Sequence, residues 1–527
     1  MPATPGESRL VLAFDFGTSS VKVGAFDHSG GMIASGTSPY TVRYPQSGWA
    51  EQDPSDWWNA VGAACRSVCS QIDAGAVAAL GITAQMCGTI PVDALGAPLH
   101  PCLIWLDTRS QLQARRMTAG GPRVAGYGLF TLLDWLRLAN GAPNLSGKDP
   151  ASKMRWFHDN RPDLWNATFK FLDVKDWLVQ QCTGVFATSE DLAQLRWTMD
   201  TRPHRRQWSA ALARRVGVPL DKLPVILPST QAVGSLTAQA AAHLGLRAGI
   251  PVACGVGDLN ANALGSGDID PGAWHLYVGS SSWVGCHTIS RKVDPLTGIA
   301  TICSAVADQY FLVATQENAG NAALWAAQVL GWGEGNAGLQ ALDRDAARCL
   351  PGDQTPLFVP WLHGERVPVD NAALRGAFVG MSPRTSREDL AYAVLAGVAL
   401  NIRWAWDCAR KLYPGKSGAL RMLGGACESP IWPQIFADML GHPVSVMENA
   451  RWGGVRGAAM TAAVAGGLQS GLRDAASQTR IHHTCEPDPS AAAWANARYA
   501  QLLGYYKATR RWHQLAYPPA SRNSPHD

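Results

Sequence analysis

The chain has 527 residues, of which 47% are hydrophobic and 16% charged, and a net charge of +4. That length exceeds one ordinary core and predicts two large domains, while the composition excludes a disordered chain. A small charge without a long basic run argues against nucleic acid or a membrane surface as the main partner, but not against a local anionic ligand.

Residues 1–9 carry no apolar segment of the secretory type, and no stretch reaches the ~18 apolar residues of a membrane-spanning helix. Both observations point to a cytoplasmic protein. Cys65 and Cys69, four apart on a predicted helix, read as a packing pair. His482, His483 and Cys485 sit in a predicted Pro- and Asp-bearing loop and are not read as a metal site.

In chain order, Leu10–Phe14 predicts a buried strand, Asp15–Ser20 a polar turn, and Val21–Phe26 a second strand with period-2 alternation. The turn combines one carboxylate, Asp15, with Gly17 and the hydroxyls of Thr18, Ser19 and Ser20. Glycine permits close backbone approach, and successive N–H groups with hydroxyls make an anion-binding nest. A carboxylate beside such a nest would repel phosphate unless a divalent cation lay between them. The stretch therefore reads as a Mg-nucleotide phosphate clip, although a plain hairpin turn uses the same residues.

Strands at Met32–Ser35, Val77–Thr83 and Thr89–Asp93 then alternate with a helix over Trp57–Ser70, as in an α/β domain. Phe171–Leu178 runs from strand into helix, and Ala238–Leu244 is helical. Ile250–Asp258 is an apolar strand closed by glycines and an acid, opening a helix over Leu259–Leu264.

His275–Cys286 repeats the opening pattern, with Gly279, Ser280, Ser281 and Ser282 falling on Gly17, Thr18, Ser19 and Ser20, and Tyr277 falling on Asp15. Two such turns, one at the head of each half, indicate a duplicated domain with paired phosphate clips. Helices follow at Asn321–Leu330 and Arg387–Leu412, the latter capped by Ser386. Leu420–Leu423 is a strand entering Gly424, Gly425 and Ala426, which open the next helix; Val444–Met447 and a helix over Gly457–Ala465 complete the fold.

The ordered set Asp15–Lys22, Trp49–Pro54, Gly81–Met86, Trp105–Arg109, Lys175-Asp176, Gly257-Asp258, Gly279–Ser281, Gly364–Pro368 and Gly424–Ala426 resembles the FGGY carbohydrate kinases, most closely the xylulokinase-type branch. The resemblance implies two ribonuclease-H-like (actin/hexokinase type) α/β domains around a central cleft, at 9–268 (sugar side) and 269–515 (nucleotide side), with 516–527 a disordered tail. It implies ATP and Mg2+ as cofactors, Asp258 as catalytic base and metal neighbour, and Asp15 as the metal's carboxylate. Gly17, Thr18, Ser19, Lys22, Gly279, Ser280, Ser281, Gly424, Gly425 and Ala426 match nucleotide positions. Gln85, Met86, Cys87, Trp105, Asp258 and Asn262 are the sugar candidates.

Local chemistry leaves alternatives. The alternative for Asp258 is a helix N-cap, and the two roles are compatible. Asp107 and Arg109 either pair with each other or touch ligand, and His363, Glu365 and Arg366 read as a loop-stabilising network rather than as catalytic groups. Two residues depart from the xylulokinase pattern: Cys87 stands where His is usual, and Leu259 where Asn follows the catalytic Asp. Each swap removes a hydrogen-bonding group, which alters sugar discrimination. Asn262 would share the helix face of Asp258 and is a candidate replacement; Asn260 would point elsewhere.

The expectation is thus phosphorylation of a sugar hydroxyl, with D-xylulose to D-xylulose 5-phosphate leading. Another ketose or polyol (ribulose, erythritol) and a catalytically silent sugar-binding regulator are the alternatives. The partners are the sugar and ATP, and a homodimer is left open.

Overall fold

The computed structural model describes residues 9–517. In the first half, β1 (Leu10–Phe16), β2 (Ser20–Phe26) and β3 (Met32–Pro39) form an antiparallel meander after which α1 (Pro54–Cys69) leads into β4 (Val77–Ala84). Then come α2 (Val174–Thr183), α3 (Glu190–Leu195), β5 (Ala232–Ser235), β6 (Pro251–Ala253), β7 (Val256–Gly257) and α4 (Asp258–Gly265). The second half holds β8 (Trp274–Val278), β9 (Ser282–Thr288), β10 (Val293–Asp294), β11 (Ile299–Cys303) and β12 (Tyr310–Gln316). It continues with α5 (Gly320–Val329), α6 (Arg387–Leu412), β13 (Leu420–Leu423), β14 (Val444–Met447), α7 (Gly453–Ala465), β15 (Ile481–Cys485) and α8 (Ala492–Ala516).

The first sheet runs β5-β6-β4-β1-β2-β3, with β7 beside β4; the second runs β10-β11-β12-β9-β8-β13-β14-β15. Their pairings coincide. β1 is antiparallel to β2 and parallel to β4, as β8 is antiparallel to β9 and parallel to β13. Even the antiparallel edge strands β5 and β15 correspond. The duplication expected from two short turns is therefore a duplication of whole sheets.

Burial follows this layering. Leu10, Leu12, Phe14 and Phe16 face α1 in one apolar cluster, while Val11 and Ala13 face Val455, Ala458 and Ala462 of α7 in another. A strand covered on both faces reads as a continuous apolar run, which β1 does. Each half thus exchanges one helix with the other: α7 packs on the first sheet, and α4 lays Leu259 and Ala263 against Trp283 and Phe311 of the second.

The two exchanged helices touch through glycine. A methyl carbon on Gly457 would lie 1.8 Å from the Ala261 carbonyl oxygen, and one on Gly265 would lie 2.0 Å from that of Gly453. Against the sheet, a methyl on Gly81 would lie 2.1 Å from the Ala458 carbonyl oxygen. Only glycine lets these backbones approach.

Several expectations shift. The segment after β13 begins as a 3-10 turn, Gly425–Glu428, and the next α-helix starts only at Trp432. The small-residue helix starts at Gly453 rather than Gly457. His482, His483 and Cys485 lie on the edge strand β15, not in a loop, because pairing with β14 sets the backbone there. The helix expected at Asn321–Leu330 spans Gly320–Val329. Ala516 closes α8, so the expected tail is not irregular from its first residue; Pro518–Asp527 lie outside the described residues. Among the described residues no helix is long and apolar enough to cross a membrane.

Candidate active site

The two hairpin turns are tight. Gly17 N–H donates to Ser20 O at 3.0 Å and Gly279 N–H to Ser281 O at 2.9 Å, leaving Ser19 and Ser280 exposed at the tips. The second turn is braced by the start of α5, where Gly320 N–H donates to Gly279 O (2.9 Å) and Ala319 N–H to Ser280 O (3.1 Å). Thr18 Oγ1 accepts from Trp105 Nε1 at 3.1 Å. The hydroxyl proton of Thr18 is then free to donate outward.

Two acids, Asp15 and Asp258, lie beside the strands that enter these turns. Asp258 is the first residue of α4; Gly257 is the N-cap, and among the described residues the Asp258 carboxylate accepts only from the Leu259 N–H, at 2.9 Å. The N-cap is therefore Gly257 and not Asp258, because the helix begins one residue earlier than the sequence suggested. Asp15 stands over the first turn of α7: a methyl on Gly454 would come within 2.7 Å of Asp15 Oδ2. Helix N-termini favour negative charge, so both exchanged helices present their positive ends to a carboxylate.

The electrostatics couple these groups. Burial, then the charge of Asp15, push Asp258 up to about 7. Burial also raises Asp15, against the opposing charge of Lys22. Tyr277, the duplicate of Asp15, is raised by burial and by the charges of Asp15 and Asp258, so it lies beside both acids.

Lys22 crosses between halves, its Nζ donating to Arg451 O at 3.2 Å. Arg451 belongs to the segment whose Ala450 O accepts from Gly424 N–H at 3.1 Å. Gly424 takes φ +101°, and a methyl there would lie 2.3 Å from Val278 O, whereas Gly425 faces open space and Ala426 is buried. Gly425 is thus the accessible backbone of this turn.

The other wall is the turn after β4. Gln85 Nε2 donates to Gln52 Oε1 (2.6 Å), whose Nε2 donates to Thr18 O (2.7 Å), joining this wall to the first hairpin. Met86 packs on Gly257, its sulfur 2.6 Å from where a methyl would sit. Cys87 has φ +66°, held by Lys153 Nζ donating to its carbonyl at 2.9 Å. Gln85 Oε1 is buried and has no protein partner among the described residues, which leaves an acceptor unsatisfied by the protein. Burial raises the Cys87 thiol, which is therefore a weak neutral donor at physiological pH.

Asn262 donates from Nδ2 to Asp258 O at 2.9 Å and faces Gly453 and Gly454 of α7. Asn260 points elsewhere, as expected, to Asp191 Oδ2 (3.1 Å) and Cys303 O (3.0 Å). Arg109 pairs with Asp107 and with Glu51 (2.7 Å each), and Trp49 stacks on the guanidinium at 3.6 Å. Glu365 is indeed structural: Oε1 accepts the Glu317 and Arg366 N–H groups at 3.0 and 2.8 Å, and Asn401 Nδ2 donates to Oε2 at 2.6 Å.

Sequence reasoning missed the supports. Asp191 Oδ2 accepts the Gly257 N–H at 2.9 Å, fixing the start of α4. Asp173 Oδ1 accepts the Gly88 N–H at 2.9 Å, anchoring the Gln85–Gly88 turn. Gln52 lay inside a motif already noted, and Asp173 two residues before another; only their side-chain reach was illegible. A cavity of about 640 Å³ behind α4, lined by Asp191, Arg206, Ser304 and Leu472 among others, includes neither Asp15 nor the turns.

Among the described residues no three His, Cys, Asp or Glu gather as a metal cage. Asp15 and Asp258, both half-buried carboxylates whose ionisation burial disfavours, fit a divalent cation bound by one or two carboxylates plus phosphate and water. That is the habit of Mg2+.

Comparison with known proteins finds family matches in both halves of the chain. Residues 10–265 match the N-terminal domain, and 276–466 the C-terminal domain, of the FGGY family of carbohydrate kinases. The xylulose kinase of Escherichia coli K12 is 27% identical over 97% of this chain and 99% of its own length. A gluconokinase of Bacillus subtilis 168 is 24% identical over 83% of this chain and 84% of its own. The crystal structure of a xyloylose kinase from Brucella ovis superposes with a TM-score of 0.84 at 26% identity, covering 96% of this chain and all (100%) of that one.

Proposed function

Because the chain belongs to the FGGY family of carbohydrate kinases and is a sugar kinase, we propose that it transfers the γ-phosphoryl group of ATP to D-xylulose, giving D-xylulose 5-phosphate. The observation that carries the reading is that Asp258, an acid pushed up to about 7, lies beside Asp15 and Tyr277, the duplicated residues from which the two turns start.

In this mechanism the Gln85–Cys87 turn and Trp105 position the sugar. Gln85 Oε1, buried without a partner, accepts from a sugar hydroxyl. Asp258 takes the proton of the acceptor hydroxyl as its oxygen attacks the γ-phosphorus; the bond to the β–γ bridging oxygen breaks and ADP leaves. A group with a pKa near 7 suits a base working at neutral pH. The backbone N–H groups and hydroxyls of Gly17–Ser19 and Gly279–Ser281 hold the phosphates, and Gly425 admits the nucleotide. Asp15 and Asp258 would hold Mg2+, which screens phosphate charge. Asp15 has Tyr277, not an acid, as its duplicate, which favours the metal role for Asp15 and the base role for Asp258.

The relatives named xylulose kinases favour D-xylulose, whereas Cys87 and Leu259 favour testing other ketoses and polyols. Sugar-stimulated ADP release across a panel of ketoses, alditols and aldonates decides the matter. The expected result is highest kcat/KM with D-xylulose; folded protein that releases no ADP with any of them overturns the reading.

A further inference from the structure

One charged group in the second half reaches the sugar side of the cleft and has no part in the mechanism above. Glu317 directly follows β12, and its Oε1 accepts from Arg366 Nη2 at 2.6 Å and from Arg366 Nε at 3.1 Å. Lys148, from the first half, brings its ammonium to 3.7 Å from the same oxygen and 5.9 Å from the Trp105 ring. The pair is rigidly presented, because the buried Glu365 carboxylate holds both backbones. The Arg366 charge also reaches Cys87 and Asp149 of the first half.

We propose that Glu317 and Arg366 form the second half's wall of the sugar pocket and select an uncharged ketose or polyol over an aldonate, an inference that rests on the kinase reading. The guanidinium is already neutralised by Glu317, so it offers hydrogen bonds rather than an unpaired positive charge. The hydrogen bonds between them use Arg366 Nε and Nη2 and Glu317 Oε1, and none among the described residues engages Arg366 Nη1 or Glu317 Oε2. Together they present one donor and one acceptor, the complement of two neighbouring hydroxyls. An aldonate carboxylate would meet two cations, Arg366 and Lys148, that already face the Glu317, Asp149 and Asp370 carboxyls. Desolvating an anion there lacks compensation.

Glu317→Gln keeps the shape and exposes the Arg366 charge. The test measures kcat/KM for D-xylulose and D-gluconate in wild type, Glu317→Gln and Glu317→Asp, with thermal melting as the check on folding. The wild type is expected to favour xylulose. Glu317→Gln should raise the gluconate-to-xylulose ratio about 10-fold or more, and Glu317→Asp, retaining the charge, should hold it near the wild-type value. A folded Glu317→Gln protein with an unchanged ratio overturns the inference, as does a wild type that prefers gluconate; either leaves the kinase reading standing. Calorimetric titration with both sugars reads the same preference without turnover. A wild type that binds sugar without phosphorylating it sinks the kinase reading alone, and the binding ratio then decides this one.

Discussion

Asp258 opens one of the two exchanged helices and Asp15 overlies the first turn of the other, so the glycine contact between α4 and α7 sets the separation of the two acids. The charge of Asp15 then adds to burial in pushing Asp258 up to about 7. Packing between two backbones thereby contributes, after burial, to the protonation of the proposed base.

Removing the base should separate chemistry from stability. Asp258→Asn is expected to lower kcat by ~10²–10⁴ without lowering the melting temperature at pH 7, since Gly257 and not Asp258 is the N-cap. Asp15→Asn should instead raise the Mg2+ concentration for half-maximal rate by about 10-fold or more. Steady-state kinetics with Mg2+ titration tests both; full activity of Asp258→Asn would remove it from the mechanism.

The same acid predicts a pH dependence of stability. Asp258 ordinarily titrates at 3.8 and here at about 7, so between those values the folded protein holds a proton that the unfolded chain has lost. Stability from this group is full below its unfolded pKa and falls as pH rises toward 7. Burial raises Asp173 and Glu365 to about 7 as well, steepening the fall. Asp258→Asn should therefore be more stable than wild type at pH 8, by on the order of 2–4 kcal/mol, the gap closing toward pH 4. Denaturant titrations at several pH values would show it, and equal stability at pH 8 would contradict it.

Three glycines should respond differently to alanine. Gly457→Ala forces a methyl to 1.8 Å from the Ala261 carbonyl and should cost about 3 kcal/mol or more. Gly424→Ala meets both φ +101° and Val278 O, so it too should destabilise. Gly425→Ala meets nothing within 4 Å; it should fold normally while raising KM for ATP. An unchanged KM for ATP in Gly425→Ala would exclude this turn from the nucleotide site.

The Asp107–Arg109–Glu51 cluster should matter for folding first. Arg109 and Asp107 side chains are 1% and 0% exposed, so Arg109→Ala leaves buried carboxylates unpaired and should cost about 3–5 kcal/mol. Chemical denaturation measures this directly. A stability unchanged by the substitution, combined with a large rise in KM for sugar, would return Arg109 to the ligand-contact alternative.

Much of this protein was legible in its residues. Alternation and turn chemistry located β1, β2, β8 and β9, and the boundaries of α6 and of the Ala238–Leu244 helix, since these depend on neighbours a few positions away. The match of Gly279–Ser281 to Gly17–Ser19 exposed the duplication, and the site acids lay at strand ends where the backbone leaves the sheet. What sequence could not provide was anything fixed by long-range contact. That α7 would cross to the first sheet, and that Gly81 and Gly457 would be required there, depends on backbones hundreds of residues apart meeting within an atom's width. The reach of Asp191 to Gly257, of Asp173 to Gly88 and of Glu317 to Lys148 likewise depends on side chains from separate elements converging. Local chemistry determined which residues could act; tertiary packing decided which of them face one another, and so which charge Asp258 feels.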